Sequence, residues 1–236
     1  MPMHGVCKDS RSHHGSLRED EATWQKNCKE LEGVEAVTRS KSTMMISVIL
    51  LAAGRSKRMG KLKQVMPFGQ STVLGQAINN LLASVVSELI VVVGYRAKEV
   101  IRSIATEPVK LVINPDYGQG MSTSIIVGLN LVDSRAQAVM LALGDQPLIN
   151  SQIVNRLIEE FCNHDKGIAV PIYQGRRGHP IIFASKYKEK LLELDGDIGG
   201  RQIVKDHPDD ILEVAVNSES IITDIDTISD YQSQAD

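Results

Sequence analysis

The chain reads as a three-layer α/β/α domain with a mainly parallel sheet, preceded by a polar leader. Three observations support this. From Ile46 onward, short β-rich runs alternate with segments of helical period, the pattern of βαβ units. The early runs are nearly all apolar, as expected of strands covered on both faces. The chain has 236 residues, 42% of them apolar and 23% charged. That is enough for one core, burying about 70% of the unfolded surface, without disulfide staples.

Residues 1–45 stand apart. They are polar, hold His4, His13 and His14, and keep neither period for long. Leu17–Val37 carries Trp24 and Leu31 in a weak helical pattern. His13 and His14 have no further ligands nearby and read as part of a solvated tail. Met44-Met45 makes a natural start, so residues 1–45 are expected to be a poorly ordered leader and residues 46–236 a single domain.

The first strand is expected over Ile46–Ala52. Helix Thr72–Ala83 follows, with Val73, Ala77, Ile78, Leu81 and Leu82 on one stripe. Then come strand Leu89–Gly94, helix Ala97–Ala105, strand Lys110–Asn114, helix Met121–Val132, strand Ala138–Leu143 and helix Ser151–Cys162. The last third gives strands Ile168–Pro171 and Pro180–Ala184, helices Lys186–Leu194 and Gly200–His207, and strands Ile211–Val216 and Ser220–Ile225. No internal repeat is visible.

A net charge of −3 supplies no basic field for nucleic acid or an anionic membrane. Aromatic residues, at 4%, are too few for base-stacking platforms. Cys7, Cys28 and Cys162 show no metal-ligand spacing and read as reduced thiols. No apolar run reaches the ~18 residues of a membrane span, and no secretory signal is evident. The expected location is cytoplasmic.

In open α/β sheets, ligands bind beyond the carboxyl ends of the strands. After the first strand runs Leu51-Ala52-Ala53-Gly54-Arg55-Ser56-Lys57-Arg58-Met59-Gly60-Lys61-Leu62-Lys63, with five basic residues in nine positions. Amides freed by Gly54 and Gly60 can approach phosphate oxygens, and the basic side chains supply countercharge. The spacing Gly-x5-Gly-Lys, with Leu62 in place of Ser or Thr, departs from a P-loop, and no Gly-x-Gly-x-x-Gly is present.

This loop resembles the signature of the molybdenum-cofactor nucleotidyltransferases, Leu-Ala-Ala-Gly-x-Ser-x-Arg-Met-Gly-x-x-Lys, at every fixed position. The resemblance implies a Rossmann-like fold of the nucleotide-diphospho-sugar transferase type. It places Leu51, Ala52, Ala53 and Gly54 by the nucleotide, with Ala52 and Ala53 near the base. Gly54, Arg58 and Lys63 would lie on the triphosphate. Leu-Ala-Ala-Gly is typical of the cytidylyltransferase branch, where the guanylyltransferase branch usually has Leu-Ala-Gly-Gly, so CTP is the expected donor.

Leu143-Gly144-Asp145-Gln146-Pro147 puts a carboxylate at the end of a buried strand, which is unfavourable unless it holds a cation or caps a turn. Gly-Asp-Gln-Pro again resembles the cytidylyltransferase branch, implying magnesium on Asp145. Asp224-Ile225-Asp226-Thr227 resembles the family's C-terminal Asp-x-Asp-Thr, implying Asp226 as second metal ligand, with Asp224 the fallback. Ile228 and Ser229 replace the usual Pro and Glu. Read without the resemblance, Asp226 fits a helix cap better.

Asn114–Ser124 is a glycine-rich turn opening a helix, where Gly120 and Ser122 suit a base, ribose or phosphate. Ser124 stands where a nucleophile elbow needs glycine, which argues against serine hydrolase chemistry. Gly175-Arg176-Arg177-Gly178-His179-Pro180 and Gly196-Asp197-Ile198-Gly199-Gly200-Arg201 resemble the family's acceptor-side segments. They imply Arg177, His179 and Arg201 on the pterin or its phosphate, although read alone the arginines are ordinary surface charges and His179 structural.

The implied reaction joins CTP to the phosphate of the molybdenum cofactor. Arg58, Lys63 and Asp145 would be catalytic, Mg2+ would sit on Asp145 and Asp226, and a molybdoenzyme could receive the product. The rivals are a GTP-using or sugar-phosphate nucleotidyltransferase of the same fold, and a non-catalytic cofactor chaperone.

Overall fold

A run of seven residues, Ile46–Ala52, forms β1 and is buried on both faces almost throughout. Such a strand can lie only in the middle of a covered sheet, which is where it is found. The computed structural model describes residues 44–235. The expectations for the leader, including Trp24, Leu31, His13, His14, Cys7, Cys28 and the helical pattern of Leu17–Val37, lie outside the described residues.

After β1 come a two-residue hairpin (β2, Pro67–Phe68; β3, Ser71–Thr72), α1 (Val73–Leu82), β4 (Glu88–Val93), α2 (Ala97–Ser103) and β5 (Lys110–Ile113). Next are α3 (Met121–Leu129), β6 (Ala138–Leu143), α4 (Ser151–Asn163) and β7 (Ile168–Tyr173). The chain continues through β8 (Arg176–Arg177), β9 (Ile181–Ala184), α5 (Lys188–Leu192), α6 (Arg201–Asp206), β10 (Ile211–Ala215) and α7 (Ile228–Ala235). The main sheet has the order β10-β7-β9-β6-β1-β4-β5, with β8 hydrogen-bonded to β7. Within this sheet, β9 and β8 run antiparallel to their neighbours and the other pairings are parallel.

Alternation along the strands divides the core in two. Val48, Leu50 and Ala52 face Leu74, Ile78, Leu157 and Phe161 of α1 and α4, while Ile49, Ile90 and Val92 face Ile125 and Leu129 of α3. Tyr187, Leu191 and Ile203 extend that second layer. Gly128 lets α3 approach closely, since a Cβ there would lie 2.5 Å from Ile49 Cγ2. Helices are capped where the sequence supplies a cap: Thr72 accepts from the Gly75 amide and Asn150 from the Ile153 amide.

One expected strand is absent. Ser220–Ile225 instead makes a 3-10 turn, Glu219–Ile222, and then crosses the carboxyl edge of the sheet. Its backbone groups are taken elsewhere. The Ile221 carbonyl accepts from the His179 amide, and the Ile225 amide donates to the Asp145 carbonyl. Ile221 and Ile225 are fully buried, so the apolar pattern was real, but the segment plugs the core rather than extending the sheet. The segment expected to form helix Lys186–Leu194 divides into a 3-10 turn, Ser185–Tyr187, and a short α-helix. The C-terminal helix forms despite Ile228 and Ser229, because Thr227 and Asp230 cap it reciprocally. The Thr227 amide donates to Asp230 Oδ2 at 2.7 Å and the Asp230 amide to Thr227 Oγ1 at 3.1 Å.

Candidate active site

At the carboxyl edge of β1 and β6 the sheet opens into a cavity of about 770 Å³. One wall is the loop after β1. Ser56 takes a left-handed conformation, φ 50°, unusual for a residue with a Cβ, and its Oγ accepts from the Lys63 amide at 3.2 Å. Gln64, almost fully buried, ties the loop down. Its Nε2 donates to the carbonyls of Ala52 (3.2 Å) and Gly54 (3.0 Å), and its Oε1 accepts from Ser56 Oγ. The result is a fixed turn that directs Arg55, Lys57, Arg58 and Lys63 into one cavity.

Facing it are the acids. The Lys63 ammonium lies 2.6 Å from Asp145 Oδ2 and 3.1 Å from Asp226 Oδ1, and donates to the Ile225 carbonyl at 2.9 Å. Burial works against the ammonium, but Asp145 and then Asp226 outweigh it and hold its pKa above the ordinary lysine value. Arg58 Nη2 reaches Asp226 Oδ2 at 2.8 Å from a largely exposed position. Asp224 lies beside this pair, accepting from Gln146 Nε2 at 2.7 Å. Burial, and then repulsion from Asp145 and Asp226, raise its pKa despite that hydrogen bond. A small apolar cluster of Met59, Phe68, Val73 and Ile225 welds the loop to the C-terminal segment.

The opposite rim is Tyr117–Met121, Ser124 and Ile125 with Asp197 and Gly199–Arg201. Gly120, φ 126°, sits so close to this second loop that a Cβ would lie 2.1 Å from the Gly196 carbonyl oxygen. The guanidinium of Arg55 stacks over the Tyr117 ring, 5.2 Å from its centroid. His179 precedes a cis proline and is buried. Burial, reinforced by Arg201, lowers its pKa to about 4, so the imidazole is neutral near pH 7. Its ring hydrogen-bonds the Leu141 carbonyl, and Nδ1 is buried without a partner.

Of the residues singled out from sequence, Leu51, Ala52, Ala53, Gly54, Arg58, Lys63, Gly120, Asp145, His179, Arg201, Asp224 and Asp226 all line this one cavity. Two do not. Ser122 is buried below the surface, its Oγ donating to the Gly196 carbonyl at 2.7 Å, so it braces the rim. Arg177 lies outside the lining and pairs with Glu213, 2.7 Å from both Nε and Nη2. A neutral His179 likewise cannot supply charge to a phosphate. Sequence reasoning overlooked Gln64, Tyr117 and Asp197; for Gln64 its place directly after Lys63 was the one available signal.

Three layers with a basic loop after the first strand make this fold the nucleotide-diphospho-sugar transferase type, in the nucleotidyltransferase class of enzymes. Residues 48–211 match the MobA-like NTP transferase domain, and the chain belongs to that family. It is 31% identical to the molybdenum cofactor cytidylyltransferase of Escherichia coli K12, over 79% of this chain and 93% of that one. It is also 28% identical to the nicotine blue oxidoreductase of Paenarthrobacter nicotinovorans, over 78% and 93% respectively. Among solved structures, Rv0371C of Mycobacterium tuberculosis H37Rv in complex with manganese superposes with a TM-score of 0.71 at 29% identity. That match covers 81% of this chain and 98% of the other. Among the described residues, no helix is long and apolar enough to cross a membrane.

Proposed function

We propose that the chain transfers CMP from CTP to the phosphate of the molybdenum cofactor, releasing pyrophosphate, in the cytoplasm where nucleoside triphosphates are made. The observation that carries this reading is the convergence of the cationic loop on Asp145 and Asp226 at the sheet's carboxyl edge. The Ala52-Ala53 pair and the relationship to the cytidylyltransferase favour CTP.

The donor set suits a hard divalent ion. Two carboxylates converge on a single cationic point, now held by Lys63, and both remain about a quarter exposed toward the cavity. Asp145 and Asp226 would hold the ion, which would be magnesium; the related Rv0371C structure is a complex with manganese. When bound, it would neutralise charge on the nucleotide phosphates.

An attacking phosphate monoester has a second pKa near ~6 and needs no general base. An oxygen of that phosphate forms the new bond to the α-phosphorus as the bond from that phosphorus to the α–β bridging oxygen breaks. Charge then collects on the leaving pyrophosphate, which Arg58 and Lys63 would stabilise. Arg201, on the cavity lining, would hold the acceptor phosphate, and neutral His179 would shape the pocket beside it.

Pyrophosphate release on cofactor-loaded protein, measured with each of the four nucleoside triphosphates with and without divalent ion, tests the proposal. Metal-dependent release with CTP is expected; a clear preference for GTP would overturn the choice of base. Cofactor binding without turnover for any of the four would leave the chaperone reading in its place.

A further inference from the structure

Lys63 stands where the divalent ion would be expected. Its ammonium has three protons, and three acceptors meet them: Asp145 Oδ2, Asp226 Oδ1 and the Ile225 carbonyl, at 2.6, 3.1 and 2.9 Å. The side chain is only 10% exposed, so this is not a surface pair exchanging freely with water. The set is saturated by an internal cation.

We propose that Lys63 is a place-holder: without nucleotide it fills the cation position between Asp145 and Asp226, and it yields that position when a divalent ion enters together with a triphosphate. The inference rests on the reading that these two aspartates hold the ion. Its basis is charge balance. Asp145, Asp224 and Asp226 crowd one corner, and without a cation they would repel one another at partly buried positions. A bare divalent ion could enter only by driving the ammonium out with no anion to receive it, leaving two cations adjacent. An ion arriving on a triphosphate brings that anion. The geometry allows the exchange. The Lys63 backbone is fixed by Ser56 Oγ and by Gln64 clamping the neighbouring turn, while the four-carbon stem leaves the ammonium free to swing toward phosphates bound by the same loop. Metal and nucleotide binding are then coupled, and the coupling is reciprocal.

The test is Mn2+ binding to the full chain without nucleotide, followed by the electron paramagnetic resonance signal of the free ion. Wild type should bind Mn2+ alone weakly. Lys63→Met, with circular dichroism confirming its fold, should bind it more tightly by about 5–150-fold, the usual span of such couplings. Adding Asp145→Asn to that variant should abolish the gain. If the Met variant does not fold, Lys63→Gln is expected to show the same direction. Equal or weaker Mn2+ affinity in the Lys63 variants, with wild type still binding Mn2+, would overturn the place-holder while leaving Asp145 and Asp226 as ligands. No Mn2+ bound by wild type or variant, with or without CTP, would overturn the metal reading itself and the place-holder with it.

Discussion

Removing Gln64 should loosen the cationic loop. The residue is 3% exposed, and its side chain donates to the Ala52 and Gly54 carbonyls and accepts from Ser56 Oγ. Gln64→Ala deletes these bonds, at about 1 kcal/mol each for neutral partners. It also leaves the buried Ala52 carbonyl unsatisfied, while Gly54 can turn to water. A total of about 3 kcal/mol follows, which for a domain of this size lowers Tm by about 6–12 °C. Gln64→Glu is a sharper probe. It keeps the shape but presents a carboxylate to two carbonyl oxygens, so near pH 7 it should be at least as destabilising as alanine. Urea denaturation gives the stability, and calorimetric titration should show CTP affinity lower by about tenfold or more, equivalent to 1.4 kcal/mol of lost preorganisation. If Gln64→Glu matched wild type in both measurements, the clamp would have no role in shaping the loop.

Three further outcomes are expected. The pKa of His179 is lowered to about 4 in the fold, so as pH falls the unfolded chain takes up this proton first. Stability is therefore full above about pH 6.5 and is lost toward pH 4. Between pH 7 and 5 wild type should lose about 2 kcal/mol more than His179→Gln in urea denaturation. Gly120→Ala puts a Cβ 2.1 Å from the Gly196 carbonyl oxygen at a φ of 126° and should destabilise by at least ~2 kcal/mol, read as a shift in the denaturation midpoint. Arg58→Ala and Arg177→Ala each remove a largely surface ion pair and should change stability by under ~1 kcal/mol. Arg58→Ala should also lower kcat/KM for CTP by about 10–150-fold, the worth of one charge-assisted bond, while Arg177→Ala should leave it within about twofold.

The fold was most legible where hydrophobicity alone decides. β1 and β6 have the residue bounds expected from their apolar runs, because strands buried on both faces leave no other reading. It was least legible where a local pattern is put to non-local use. Ser220–Ile225 has the β-branched alternation of a strand, but its polar backbone is claimed by His179 and Asp145, residues some forty and eighty positions earlier. Arg177 sits in an acceptor-like motif, yet the β8 turn delivers it to Glu213, a pairing that no local window contains. Ser122 was read as a ligand hydroxyl and proved to serve the Gly196 carbonyl across the cavity rim. The resemblance implied that Lys63, Asp145 and Asp226 share one site; that the lysine itself would fill the space between the carboxylates was not expected, since no spacing rule encodes it.

Transfer of the α-phosphate of CTP onto the cofactor is the most direct measurement. With α-labelled CTP, molybdenum-loaded cofactor and divalent ion, label is expected in a cytidine-bearing cofactor together with one pyrophosphate per product. Asp145→Asn should suppress both. Label that stays in CTP, or that enters the cofactor only from GTP, would contradict cytidylyl transfer.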